Sequence, residues 1–206
     1  MSDFDDKAAG WDSDQAKVAR AREVAEAVAT AVPLHQGTRL LEYGAGTGLV
    51  SEALVSRVGT VTLADSSAGM RAVLAEKVAS GHLPGGRVWD LDLESDAVPS
   101  ERFDLAVASL VLHHVRELDR VLAGLAALLA PGGHLCVADL DRTEGGTFHR
   151  HDVDVHDGFD RADLAARLER AGLSDVVVRD CGTVDRDGVA HPVFLAVARR
   201  PAQGAG

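Results

Sequence analysis

The stretch Glu42-Tyr43-Gly44-Ala45-Gly46-Thr47-Gly48 decides the fold of this 206-residue chain. Before it, residues 39–43 form a short apolar run. After it, Val50, Leu54 and Val58 resume helical spacing, so the reading is strand, glycine turn, helix. Three alternate glycines raise the conformational entropy lost on folding, which calls for a compensating role. Glycine removes side chains where a ligand must touch backbone. Such a turn supports either a dinucleotide pyrophosphate on the helix N-terminus or a nucleoside-type ligand lying across the strand ends. The dinucleotide fingerprint requires a further glycine at position 49, which is Leu49. The turn is instead G-x-G-x-G with Glu42 two residues ahead, and a carboxylate there repels a pyrophosphate but attracts an amine or a cationic centre.

Outward from the turn the same alternation recurs. Residues 15–32 carry Val18, Val24, Ala25, Val28 and Val32 at helical spacing, and Pro33 ends that pattern. Residues 60–64 read as a strand, 67–80 as a helix, 87–91 and 103–109 as strands, and 116–130 as a helix. Pro131-Gly132-Gly133 reads as a turn into a strand over 134–139, and residues 160–171 as a helix closed by Gly172. Two late runs, 176–181 and 193–198, are joined through the polar stretch 185–188 and should pair antiparallel. Apolar strands alternating with helices imply an α/β, doubly wound, Rossmann-like sheet of seven strands, mostly parallel with an antiparallel C-terminal hairpin. Ligands of such sheets bind at the carboxyl ends of the strands. With no internal repeat and no second core, residues 1–35 read as an N-terminal lid segment, 36–200 as the domain proper and 201–206 as a frayed tail.

Composition limits the function. Hydrophobic residues at 46% and charged residues at 26% suit one globular domain with a sizeable core. There are 32 acidic side chains against 21 basic, a net charge of −11, so the positive surface that would hold a phosphate backbone is missing and nucleic acid is not an expected partner. Cys136 and Cys181 lie apart with no C-x-x-C spacing, which suggests neither a disulfide framework nor a thiolate zinc site and favours a reducing cytoplasm. The acidic N-terminus is unlike a signal peptide, and the apolar run over 105–112 is too short to cross a bilayer.

These motifs resemble those of the class I S-adenosylmethionine-dependent methyltransferases, and the resemblance runs over nearly the whole chain. The E-x-G-x-G-x-G turn is similar to the family's nucleoside-binding motif, which implies Glu42, Gly44, Ala45, Gly46 and Gly48 as cofactor-binding residues. In the family an acidic residue ends the second strand, and Asp65 stands there; its carboxylate can accept both ribose hydroxyls. Asp65-Ser66-Ser67-Ala68-Gly69-Met70 resembles the D-x-S-x-x-M run that follows, with Met70 suited to the adenine face. An aspartate after the third strand meets the adenine amino group in the family. Asp90 and Asp92 both qualify, spacing favours Asp92, and Leu93 would lie beside the ring. The 103–114 stretch resembles the small-molecule branch and places Ser109 beside the methionine end. The segment Phe4 to Asp12 resembles the N-terminal lid of ubiquinone- and menaquinone-type methyltransferases, with Trp11 closing over the cofactor.

Methyl transfer from a sulfonium is an in-line displacement that needs mainly alignment, desolvation and, for some acceptors, a base. His151 and His156, in the connection after the fifth strand, titrate near neutrality and are the candidate proton acceptors. His149, Asp152 and Asp154 share that connection, but the cluster reads as a solvated loop and no metal site is expected. His113 and His114 read as packing residues. The expected activity is methyl transfer to oxygen or nitrogen of a neutral or cationic small molecule. A nicotinamide-dependent oxidoreductase, disfavoured by Leu49, and a non-catalytic cofactor-binding module are the alternatives. The charge of the acceptor follows from where the acids sit. Residues 1–14 hold five acids and one base, 87–104 six and two, and 139–163 eight and three, so these windows exceed the whole chain's deficit. In a doubly wound sheet all three border the strand ends.

Overall fold

The computed structural model describes residues 5, 7–142, 156–186 and 188–202. It shows a seven-stranded sheet in the order β3-β2-β1-β4-β5-β7-β6. The chain divides into two compact units, Met1–Asp92 and Leu93–Gly206.

In the first unit a 3-10 segment, Ala8–Ser13, precedes α1, Gln15–Ala31. Asp14 starts α1 by accepting the amides of Ala16 and Lys17, two donors a helix cannot satisfy internally. Ala21, Val24, Ala25 and Val28 form its buried stripe, and the chain turns extended at Val32, ahead of Pro33. Strands β1, Arg39–Tyr43, β2, Thr60–Ala64, and β3, Arg87–Trp89, are parallel, with Tyr43 opposite Ala64 and Ala64 opposite Trp89. Four consecutive buried residues in β1 and in β2 are the pattern of strands covered on both faces. The short helix α2, Leu49–Leu54, and the longer α3, Ala68–Ala79, are the crossovers. The Ser67 hydroxyl caps α3 by accepting the Met70 amide. Leu40, Leu41, Leu54, Leu63, Leu74 and Leu83 are among the largest fully buried side chains of this unit's core.

In the second unit β4, Phe103–Ser109, pairs parallel with β5, Leu129–Leu140. Helix α4, Leu118–Leu128, ends where β5 begins, so Pro131-Gly132-Gly133 lies inside a strand and is not a free turn. The reason is local. The Gly132 amide donates to the Arg200 carbonyl and the Arg200 amide to the Gly133 carbonyl, which draws the stretch onto the chain beyond β7. The mismatch appears as a bulge, since Phe103 faces Leu129 but Leu105 faces His134. Helix α5, Arg161–Arg170, is capped by Asp160 and closed by Gly172 at φ +88°. Strands β6, Ser174–Arg186, and β7, Val189–Arg199, form the antiparallel hairpin. Both outrun the expected segments, because residues 183–186, including the polar Asp185 and Arg186, pair with 189–192 as ladder rather than loop. Cys136 and Cys181 are free and buried, and burial pushes the Cys136 thiol up to about 12, so it is not a nucleophile. Among the described residues no helix is long and apolar enough to cross a membrane.

Candidate active site

The glycine turn takes its shape from backbone conformations that disfavour side chains. Gly44, Gly46 and Gly48 have φ of +65°, +55° and +78°. Their surroundings differ. A Cβ at Gly48 would come within 2.8 Å of Leu74 Cδ2, so this glycine lets the turn settle on the leucine core. A Cβ at Gly46 would meet nothing within 4 Å, so the backbone there faces open space that a ligand can enter.

Asp65 fixes that opening. Its Oδ2 accepts the Gly46 amide at 2.7 Å and its Oδ1 the Ser67 amide at 2.8 Å, so one carboxylate joins the glycine turn to the start of α3. A carboxylate has about four lone-pair sites, so two remain for the hydroxyls of a ribose. Burial raises the Asp65 pKa, while the Ser67 and Gly46 amides and the Arg71 cation oppose that shift. Arg71 donates to the Asp65 carbonyl at 3.0 Å and pairs with Asp90 at 2.8 Å. Asp90 is thereby engaged at the surface, whereas Asp92 is half-buried between the buried Leu91 and Leu93. Met70 is buried and Ser66 exposed.

Glu42 has a different orientation from the one its charge suggested. It is 3% exposed, and its Oε2 accepts the Ser51 amide at 3.0 Å. Gly48 stands at the N-cap of α2 with no side chain to offer, and Glu42 supplies the acceptor from the neighbouring strand. Burial pushes its carboxyl up to about 7, with the Asp65 charge adding to the shift and the Ser51 hydrogen bonds and Lys77 opposing it.

The N-terminal segment joins this site through residues that no motif marked. Asp12 accepts the Thr47 hydroxyl at 2.5 Å and pairs with Lys77 at 2.6 Å; Asp5 accepts the Ser67 hydroxyl at 2.6 Å and the Gly69 amide at 3.0 Å. Trp11 lies under the Lys17 ammonium, 3.9 Å from ring centre to Nζ. These partners are 35 to 64 residues apart along the chain for the Asp12–Thr47 and Asp5–Gly69 bonds, a separation no local pattern reveals.

In the second unit, Leu93 is buried against Gly124, where a Cβ would come within 3.2 Å of its Cδ2. Ser109 ends β4 and is followed by Leu110 at φ +51°, a strained conformation for a leucine, whose N–H donates a hydrogen bond to the Ala138 carbonyl at 2.8 Å. A second cluster lies just beyond. His113 Nδ1 is 2.7 Å from Asp139 Oδ1, and Asp139 also accepts the amides of Leu112, His113 and Leu140. His156 attaches to it through its amide, which donates to the His113 carbonyl at 2.8 Å, and through Nε2, 3.0 Å from the Val115 carbonyl. His113, read as a packing residue, is buried and its carbonyl also holds a candidate proton acceptor, whereas the strained Leu110 carried no sequence signal. His149, His151, Asp152 and Asp154 lie outside the described residues, as do Phe4, Asp6 and the tail from 203. Among the described residues no group of three or more His, Cys, Asp or Glu side chains is arranged to hold a metal ion.

A mostly parallel sheet with an open glycine turn and an acid at the end of the neighbouring strand is the arrangement of Rossmann-like, nucleoside-binding proteins. The chain belongs to the methyltransferase domain family, whose model matches residues 16–178. It is 32% identical over 158 residues to an uncharacterized methyltransferase of Schizosaccharomyces pombe, covering 69% of this chain and 55% of that one, so it spans about half the length of that relative. Among solved structures, a chain of the complex between the Haloferax volcanii Trm112 methyltransferase activator and a methyltransferase superposes with a TM-score of 0.79 at 18% identity, covering 98% of this chain and 99% of that chain. The Haemonchus contortus phosphoethanolamine N-methyltransferase 2, in complex with phosphomonomethylethanolamine and S-adenosylhomocysteine, does so with a TM-score of 0.68 at 15% identity, covering 82% and 50%. Another solved neighbour is the same Haemonchus contortus enzyme in complex with S-adenosyl-L-methionine, with a TM-score of 0.67 at 15% identity. The site suits that cofactor, because Gly46 leaves room where a side chain would stand and Asp65 has acceptor capacity for ribose hydroxyls.

Proposed function

We propose that the protein methylates oxygen or nitrogen of a neutral or cationic small molecule by in-line displacement, as in the small-molecule branch that its sequence resembles. Bound S-adenosylmethionine supplies a methyl group on a sulfonium, whose departure leaves a neutral thioether. The chain's own residues align and desolvate. Asp65 accepts the ribose hydroxyls, Asp92 the adenine amino group, and Met70 and Leu93 flank the ring. Gly44, Ala45, Gly46 and Gly48 keep backbone within reach, Glu42 holds the helix behind them, Ser66 borders the ribose, and Trp11 excludes water. In the second unit Ser109 belongs to the methionine end. A proton leaving the acceptor goes to His151 or His156. Because His156 Nε2 is engaged with the Val115 carbonyl, Nδ1 is the nitrogen that would take it.

The observation that carries the acceptor class is the charge distribution. Three acidic windows, 1–14, 87–104 and 139–163, hold more net negative charge than the whole chain. An anionic acceptor approaching them is repelled, and an amine or a phenol is not. The same acidity supports a reading without nucleic-acid partners, and two free cysteines support a cytoplasmic setting. Methyl transfer from labelled S-adenosylmethionine over a panel of amines, phenols, carboxylates and phosphate esters tests it. Amines and phenols should be methylated about tenfold or more faster than their anionic analogues. Preference for anions would overturn the acceptor class, and no transfer to any panel member together with intact cofactor binding would favour a binding module.

A further inference from the structure

The N-terminal strap, Asp5 with residues 7–13, crosses both turns that carry the cofactor residues and is tied at each end by a carboxylate. At the glycine turn Asp12 is shared between the Thr47 hydroxyl and Lys77, and Lys77 also pairs with Glu52 at 2.7 Å. Lys77 stands on α3 and Glu52 on α2, so one ammonium joins the strap to both crossover helices while only 14% exposed. At the other end Asp5 sits on the start of α3, and the packing leaves no slack. A Cβ at Gly69 would lie 2.7 Å from the Asp5 carbonyl oxygen and 2.8 Å from its Cα.

We propose that Lys77 is a positioning residue for the cofactor, acting through Asp12 and Glu52 to hold the strap across the Gly44–Gly48 and Asp65–Met70 turns. Lys77 need not touch the ligand. Without its ammonium, Asp12 keeps the Thr47 hydroxyl but both it and Glu52 lose the cation they share, and the repulsion between the two carboxylates works against the docked strap. The inference rests on S-adenosylmethionine as the ligand of these turns, and it goes beyond the choice of acceptor.

Calorimetric titration with S-adenosylmethionine, paired with the rate of chymotryptic cleavage after Trp11 in the absence of ligand, tests it. Lys77→Met should weaken binding about tenfold and speed cleavage by a similar factor, Asp12→Asn should match it, and the double variant should be no worse than either single one. Lys77→Arg, which keeps the charge, should stay within about threefold of wild type. Gly69→Ala disturbs the other end without touching Lys77. Alanine is the better helix former, so weakened binding and faster cleavage with no fall in Tm is the expected result, and one that damage to the fold cannot imitate. Binding and cleavage within about twofold of wild type in both Lys77→Met and Gly69→Ala, whatever happens to Tm, would overturn the proposal. Failure of the wild type to bind would overturn the cofactor assignment and this inference together, a result plainly different from a strap that does not matter.

Discussion

Glu42 places an acid in the interior of a buried strand, where its Oε2 accepts the Ser51 amide of the following helix. Burial raises its carboxyl from the ordinary 4.5 to about 7, so between those values the folded protein holds a proton that the unfolded chain releases. The stabilisation from that proton is complete below about pH 4.5 and is lost as pH rises through 7, a difference on the order of 3 kcal/mol. Glu42→Gln cannot ionise. Denaturant unfolding at pH 5 and pH 8 should show wild type losing stability across that interval and the variant losing markedly less. Equal losses would show that Glu42 is not the group responsible. The position of Asp65, directly after β2, was legible because the sequence resembles a family in which an acid ends the second strand. The position of Glu42 was equally legible, but not its role: charge suggests a ligand, whereas the missing side chain at Gly48 gives the carboxylate a helix end to satisfy.

At the scale of elements, the turn and its helix are set by close packing as much as by ligand. Gly48 combines φ of +78° with a Cβ position 2.8 Å from Leu74, so Gly48→Ala is expected to destabilise by roughly 2–3 kcal/mol, read from the unfolding midpoint. Gly46→Ala has only the backbone penalty, since nothing lies within 4 Å of its Cβ position, and should lower stability less than Gly48→Ala. β4 was readable over Phe103–Ser109 because burial on both faces makes Leu105–Ala108 a continuous apolar run, with polar residues only near the ends at Asp104 and Ser109. Pro131-Gly132-Gly133 was not, because glycine and proline normally stop a strand. Here the pairing with Arg200, distant in sequence, overrides that preference. The strap shows the same limit: Asp5 and Asp12 are ordinary acids until folding brings Ser67, Thr47 and Lys77 to them.

For the whole molecule, the structure sharpens what an excess of acids means. Among the described residues, four acids of the three windows pair with cations from outside them, Asp12 with Lys77, Asp14 with Lys17, Asp90 with Arg71 and Asp163 with Arg167, while Arg161 bridges Asp141 and Asp180 at 2.5 and 2.7 Å. Part of the acidity is therefore architectural, holding the strap, the end of β2 and the start of α5. The proposed preference for neutral and cationic acceptors rests on the remainder. The central claim is that Asp65 and the glycine turn form the S-adenosylmethionine site, and isothermal titration of the wild type and Asp65→Ala tests it most directly. The wild type should bind, and Asp65→Ala, deprived of the carboxylate that holds Gly46 and accepts the ribose, should lose about 100-fold or more in affinity. Absence of binding by the wild type, or unchanged affinity in Asp65→Ala, would contradict it.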